Sequence, residues 1–240
     1  MPTIRMKQPF NRLLLLAAAG ALLLTVWPAS RTVSAAPGGA TFDYYVLSLS
    51  WAPDFCAAPG YKDPRECAPG RRLGFIVHGL WPQAETGRAP ENCGGSPVSA
   101  ALVASMLNYI PSESLIQHEW ATHGTCTGLS AVDYFSLVRE ARNRLSVPAD
   151  LLRGSPNATG RSASGQTGFG EDRTMTPDQL ASEFAAANRA FPAAAFRVTC
   201  TRGELQEVRV CFNKDLSPRA CSVSVGAACS APGILVRAPR

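Results

Sequence analysis

Histidine and lysine are both scarce in this chain, at three residues each among 240, while arginine occurs 20 times. No C-x-x-C pair occurs, which removes the spacing on which most thiolate zinc sites are built. No H-E-x-x-H occurs either, so the two ligands one helical turn apart that mark a zinc hydrolase are lacking. Beyond residue 27 no stretch is apolar enough to span a bilayer of about 20 helical residues. No internal repeat is evident.

The beginning of the chain is set apart by composition. Arg5, Lys7 and Arg12 occur there without an acidic residue, 13–27 form an apolar run, and Ser34-Ala35-Ala36 offers a small-residue exit. A basic start, a short apolar centre and an A-x-A-like end describe a secretory signal peptide over 1–36. The competing reading is an uncleaved membrane anchor. Cleavage would leave 240 − 36 = 204 residues, expected to form a single domain, 37–240, with one substantial core. It would also remove Arg5, Lys7, Arg12 and Arg31, so the formal charge of +5 becomes +5 − 4 = +1. Net charge therefore does not point to nucleic acid, although a local basic groove is compatible with it. The arginine and alanine bias points to a GC-rich, bacterial genome. There the Asn157-Ala158-Thr159 glycosylation pattern would carry no meaning.

All eight cysteines lie in the mature part: Cys56, Cys67, Cys93, Cys126, Cys200, Cys211, Cys221 and Cys229. An even count in an exported chain reads as a disulfide framework, with 105 possible pairings left open by the count itself.

Strand and helix patterns alternate along the chain. Over 41–51, Tyr45, Leu47, Leu49 and Trp51 alternate with Ser48 and Ser50, as in a half-buried strand. The apolar run 73–77 reads as a buried strand ending at His78. Ser96-Pro97 should open a helix that Pro111 closes. Ser130 and Asp133 resemble a capping box ahead of the periodic Val132, Phe135, Leu137 and Val138. Residues 154–172 read as a long surface loop. Thr176-Pro177-Asp178-Gln179 should cap a helix running to about Arg189. Strands are expected over 196–200, over 207–212, and near Val223 and Ile234. Strands at both ends with helices between them predict an α+β domain around a mostly antiparallel sheet.

The histidines are the chemical signal. His78 stands where the second strand meets Gly79-Leu80-Trp81-Pro82, and His118 and His123 bracket Glu119-Trp120-Ala121-Thr122. At about 100° per helical residue, His118, Glu119, Thr122 and His123 share one face while Trp120 turns to the other. Gly124 is expected to end that helix. Glu119 and His123 stand at i and i+4, so the carboxylate is expected to orient the imidazole and raise its pKa. One histidine as base and another as acid suits a reaction in which one hydroxyl loses a proton while a leaving oxygen gains one. The rival, a metal site, meets H-E-x-x-x-H, whose two rings diverge by about 140°. The bland reading, three ordinary histidines, explains any one of them but not their gathering in two short segments.

Those two segments, Phe75-Ile76-Val77-His78-Gly79-Leu80-Trp81-Pro82 and His118-Glu119-Trp120-Ala121-Thr122-His123-Gly124-Thr125-Cys126, resemble the active-site segments of the ribonuclease T2 family. The stretch 47–56 resembles that family's first strand and following loop, and 205–211 its late core strand. The resemblance implies a disulfide-stapled α+β fold and metal-independent, cofactor-free cleavage of single-stranded RNA, with low base specificity, through 2′,3′-cyclic phosphates to 3′-phosphates. By motif position His123 would be the general base, His78 the general acid, His118 a phosphate ligand, and Glu119 a group polarising the scissile phosphate. Trp81 would stack a base, its alternative being a core tryptophan, and Gln83 would tune base preference. The framework implies Cys56–Cys67, Cys93–Cys126, Cys200–Cys229 and Cys211–Cys221. A secreted monomer with RNA as its partner, and without membrane association after signal cleavage, is expected.

One position departs from the family. Thr122 stands where a lysine usually precedes the last active-site histidine, and a hydroxyl supplies no positive charge. A nearby arginine could substitute for it. The alternative is a catalytically impaired homologue that binds RNA or a protein.

Overall fold

The computed structural model describes residues 40–60, 62–152 and 171–240. The expected signal peptide lies outside the described residues, as do the Asn157 pattern and all but the last two residues of the expected 154–172 loop.

In chain order the elements are β1 (Tyr44–Trp51), α1 (Ala52–Ala57), α2 (Pro64–Cys67), β2 (Phe75–Gln83), α3 (Ala100–Met106) and α4 (Glu113–Thr122). They continue with α5 (Ala131–Asn143), β3 (Arg173–Met175), α6 (Pro177–Ala187), β4 (Phe196–Thr201), β5 (Glu204–Phe212) and β6 (Ile234–Val236). The sheet runs β2-β1-β5-β6-β3, with β4 also paired to β5; every pairing is antiparallel except the short parallel contact of β5 with β6. The fold is therefore α+β around a mixed, mainly antiparallel sheet, as expected.

The central strand β1 is covered on both faces rather than half-buried. Tyr45, Leu47, Leu49 and Trp51 enter the main core with Phe135, Phe184, Val208 and Val210. Tyr44 and Val46 enter a smaller cluster with Cys211 and Val225, against which Trp81 packs. That second cluster is the floor on which the histidine site stands.

Several local expectations shift. β2 does not stop at His78 but runs on to Gln83. It is the edge strand, where Pro82 forfeits no inner ladder bond. Within β2 the register slips: Gly79 faces Ser48 and Val77 faces Leu49, leaving His78 as the extra residue. A bulge of this kind bends the strand and re-aims a side chain. The helix expected from Ser96-Pro97 begins at Ala100, capped by Ser99, whose hydroxyl accepts from the Leu102 amide. The Ser130 cap forms and buries Phe135 and Val138, but Val132 is 61% exposed while Tyr134 takes its place inside. The Thr176 capping box is complete, and α6 ends at Ala187. The segment near Val223 is a 3-10 turn (Val223–Val225) and not a strand.

Four disulfides join Cys56–Cys67, Cys93–Cys126, Cys200–Cys229 and Cys211–Cys221, the pairing that the resemblance implies.

Candidate active site

The helix carrying two of the histidines begins at the cap Ser112 and ends at Thr122, with His123 as the residue beyond it. The loop before α3 is tied to this helix along its length. The Gln117 side chain donates to the Val98 carbonyl and accepts from the Val98 amide, and Trp120 Nε1 donates to the Ser96 carbonyl. The Cys93–Cys126 bridge and an Asn92 amide donating to the Thr122 carbonyl hold its other end. Tyr134, from α5, donates its hydroxyl to the Leu80 carbonyl in β2, so both histidine segments are fixed to one core.

Gly124 does not act as a simple helix stop. The chain continues in a 3-10 turn, Gly124–Thr127, and the left-handed residue is Gly128, at φ 72°. A side chain at Gly124 would collide with the Trp120 and Tyr134 rings, so the glycine there serves packing.

His78 is the most elaborately held of the three histidines. Its Nδ1 is 2.6 Å from Oε1 of Glu207, a carboxylate only 3% exposed on β5. Burial would push the Glu207 carboxyl up, but the His78 hydrogen bond and the charges of His78 and Arg209 outweigh it and hold it below the ordinary range. An ionised carboxylate only accepts, so His78 carries its proton on Nδ1 and presents Nε2 to the groove. Nε2 lies 3.6 Å from Glu119 Oε1. Burial alone would depress the His78 pKa; the Glu207 bond, with the charges of Glu119 and Glu207, overrides it, and the pKa is raised.

Glu119 does not support His123, contrary to the i, i+4 expectation. Its Oε2 accepts from Trp81 Nε1 at 2.8 Å and its Oε1 faces His78. The reason is local geometry. His123 sits at the helix end with φ −116°, and its backbone amide, not its ring, meets Glu119, through that residue's carbonyl. The His123 ring packs instead on Trp81, with centroids 5.4 Å apart. Its Nδ1 is buried without a hydrogen-bond partner among the described residues. Burial, then the charges of His118 and His78, lower its pKa to about 4, the opposite of the expected direction. Glu119, 1% exposed, is raised by burial to about 7 despite His78 and the Trp81 bond.

The Trp81 ring is thus central: 5.3 Å from His78, 5.4 Å from His123, and 5.2 Å beneath the Arg209 guanidinium. It is neither a plain core residue nor a free platform. Trp81, Gln83, His123 and Arg209 line one cavity of about 390 Å³. His78 and His118 line a second, of about 750 Å³, with Asp54, Glu66 and Leu115. His118 is exposed, and its Nδ1 is 3.5 Å from Thr122 Oγ1.

Sequence reasoning gave Glu207 and Arg209 no role. The available signal was two charged side chains at i and i+2 in the mainly apolar half 207–212 of a strand, which places them on one face of the sheet. Among the described residues, the one cluster with metal-ligand spacing is Cys56, Glu66 and Cys67, whose sulfurs are already joined in a disulfide. No helix among these residues is long and apolar enough to cross a membrane.

The Ribonuclease T2 family profile matches residues 42–221. A ribonuclease of Aeromonas hydrophila is 36% identical over 160 residues, covering 66% of this chain and 72% of that relative. A probable ribonuclease of Haemophilus influenzae is 38% identical over 127 residues, 47% of each chain, so the match spans about half of that relative. An RNase-related protein from Calystegia sepium shares the fold, with a TM-score of 0.61 at 21% identity over 83% of this chain and 98% of that one.

Proposed function

The chain belongs to the ribonuclease T2 family, and we propose that His78 and His123 divide between them the acid and base roles of RNA cleavage. The reaction is metal-independent and endonucleolytic. The ribose 2′-hydroxyl loses its proton and attacks the adjacent phosphorus, while the 5′-oxygen leaves with a proton. The resulting 2′,3′-cyclic phosphate is later opened by water to a 3′-phosphate.

One observation carries the division of labour, namely the opposite surroundings of the two imidazoles. His78 is bonded to a buried carboxylate and faces a second, which favours its protonated form and suits it to the role of acid. His123 lies among rings, with its pKa lowered to about 4, and so is a free base at neutral pH. Environments that push two titratable groups apart in this way are how acid and base roles are assigned. Glu119, beside His78 and with its pKa raised to about 7, polarises the scissile phosphate by donating a hydrogen bond in its protonated form. His118, exposed at the groove, binds a phosphate. Trp81 lines the cavity as a stacking partner for a base, a contact worth about 1–3 kcal/mol, and Gln83 beside it tunes base preference.

The remaining readings rest on composition and motif: a signal peptide over 1–36, a single mature domain over 37–240, export from a bacterial cell, and a monomer. Sequencing the amino terminus of the exported protein checks the cleavage site, and sedimentation checks the monomer.

The activity test is direct. Purified protein is incubated with single-stranded RNA in excess chelator, and cyclic-phosphate ends are the expected products. His78→Ala and His123→Ala should each lower turnover by at least about 10²-fold. Cleavage restored only by added metal would overturn the mechanism. Tight RNA binding without cleavage would instead favour the impaired-homologue reading, for which Thr122 is the supporting feature.

A further inference from the structure

We infer that Arg209 supplies the positive charge that the phosphorane needs at this site, the charge that Thr122 does not provide. This rests on the ribonuclease reading above. In-line attack by the 2′-oxygen adds negative charge to the non-bridging phosphate oxygens, and a fixed donor aimed at them stabilises the transition state more than the ground state. The α4 residue preceding His123 is Thr122, an uncharged hydroxyl 3.5 Å from His118. Another element brings a fixed cation to the cavity that His123 lines.

Arg209 stands on β5. Its guanidinium is over the Trp81 ring, the ring that His78 and His123 both contact, and it lines the same cavity as His123. It is held without being used up. Nε and Nη2 meet Glu207 Oε2 at 2.9 and 2.8 Å, and Nη1 donates to the Val225 carbonyl at 2.7 Å. A guanidinium has five N–H groups in a rigid fork. These contacts take three, which leaves two for phosphate oxygens. The side chain keeps 23% exposure, so the free edge is reachable.

The surroundings are built for it. A Cβ at Gly226, a residue at φ 93°, would come within 2.9 Å of Nη1, so the loop passes Arg209 only because it has none. Glu207 binds both His78 and Arg209, so one buried carboxylate holds the acid and the cation together. Other arginines nearby are less suited. Arg237 is occupied by Asp54 and Glu204, while Arg88 and Arg202 are exposed at the cavity rims.

The test is a charge relocation. Arg209→Gln, Arg209→Lys, Thr122→Lys and the double variant Arg209→Gln/Thr122→Lys are compared with wild type on a dinucleoside phosphate, reading kcat, KM and cyclic product across pH. Urea unfolding shows that each is folded. Arg209→Gln should lower kcat about 10²–10³-fold, with KM nearly unchanged. Arg209→Lys, which keeps the charge but loses the fork, should fall between it and wild type. Thr122→Lys should recover at least about 10-fold in the Arg209→Gln background, a rescue that a merely structural arginine would not allow. Near-normal kcat in Arg209→Gln, an effect on KM alone, or a loss that Thr122→Lys leaves untouched would each overturn the inference while leaving the ribonuclease reading intact. A wild type that makes no cyclic phosphate would overturn both.

Discussion

His78 Nδ1 lies 2.6 Å from the buried Glu207 carboxylate, so the ring's protonation is governed from a strand distant in sequence. Glu207→Gln keeps the shape and an acceptor oxygen but removes the charge. The His78 pKa is raised in spite of burial because of this bond and the charges of Glu119 and Glu207, so it should drop in the variant. As His78 acts when protonated, the alkaline limb of the kcat/KM profile should move to lower pH. NMR titration of the His78 ring gives the same quantity without turnover. An unmoved alkaline limb would show that Glu207 only fills space.

His123 sets the other limb. Its pKa is lowered by burial, then by His118 and His78, to about 4, and a base works when deprotonated. Activity should therefore hold as pH falls below the ordinary imidazole value near 6.5 and decline only near pH 4. The check is kcat/KM on a short RNA from roughly pH 2.5 to pH 9, which takes in the decline on the acid side. An acid limb near pH 6.5 would mean that His123 is solvated in the free enzyme or is not the base.

The main elements and the gathering of the histidines were legible because they depend on local pattern. The Thr176 box, the apolar alternation of β1 and the gathering of all three histidines in two segments need no tertiary knowledge. What was not legible depends on partners far away in sequence. The i, i+4 rule offered Glu119 to His123, but the helix ends one residue too soon and Glu119 turns to Trp81 and His78 instead. Glu207, separated by 129 residues from the histidine it holds, was invisible for the same reason. The bulge at His78 likewise requires knowing that β1 is the neighbour of β2.

Gly79 is a third point of control. A side chain there would fall on the Glu119 carboxylate and against Trp81 Nε1, the two groups that hydrogen-bond across it. Gly79→Ala should break that bond, expel Glu119 and disturb the Trp81 ring on which His123 packs. We expect turnover to fall by at least about 10²-fold, as for loss of a positioned catalytic group, with the fold retained. Kinetics with near-ultraviolet circular dichroism of Trp81 would check it. Unchanged spectra with normal turnover would mean that the strand simply shifts to make room.

A last prediction concerns stability rather than rate. Glu66, on α2, is 5% exposed, and its Oε1 has no hydrogen-bond partner among the described residues. Burial raises its pKa from 4.5 to about 7; Asp63 adds to the rise, while Lys62 and His78 oppose it. Below pH 4.5 the carboxyl is protonated in both folded and unfolded chains and has no pH-linked effect. Between 4.5 and about 7 the unfolded chain releases the proton while the folded one keeps it, so stability falls as pH rises through that window. Above it the folded protein bears a buried, poorly paired charge. At about 1.4 kcal/mol per pKa unit, the penalty at pH 8 is of the order of 3 kcal/mol. Glu66→Gln removes the charge but leaves a buried amide, whose own cost is the same at every pH. The informative quantity is therefore the difference between urea midpoints of variant and wild type, measured at pH 4 and at pH 8. The variant should gain on wild type between those two conditions. An equal offset at both would show that Glu66 is ionised at little cost, and that its carboxylate is solvated through the cavity it shares with His78 and His118.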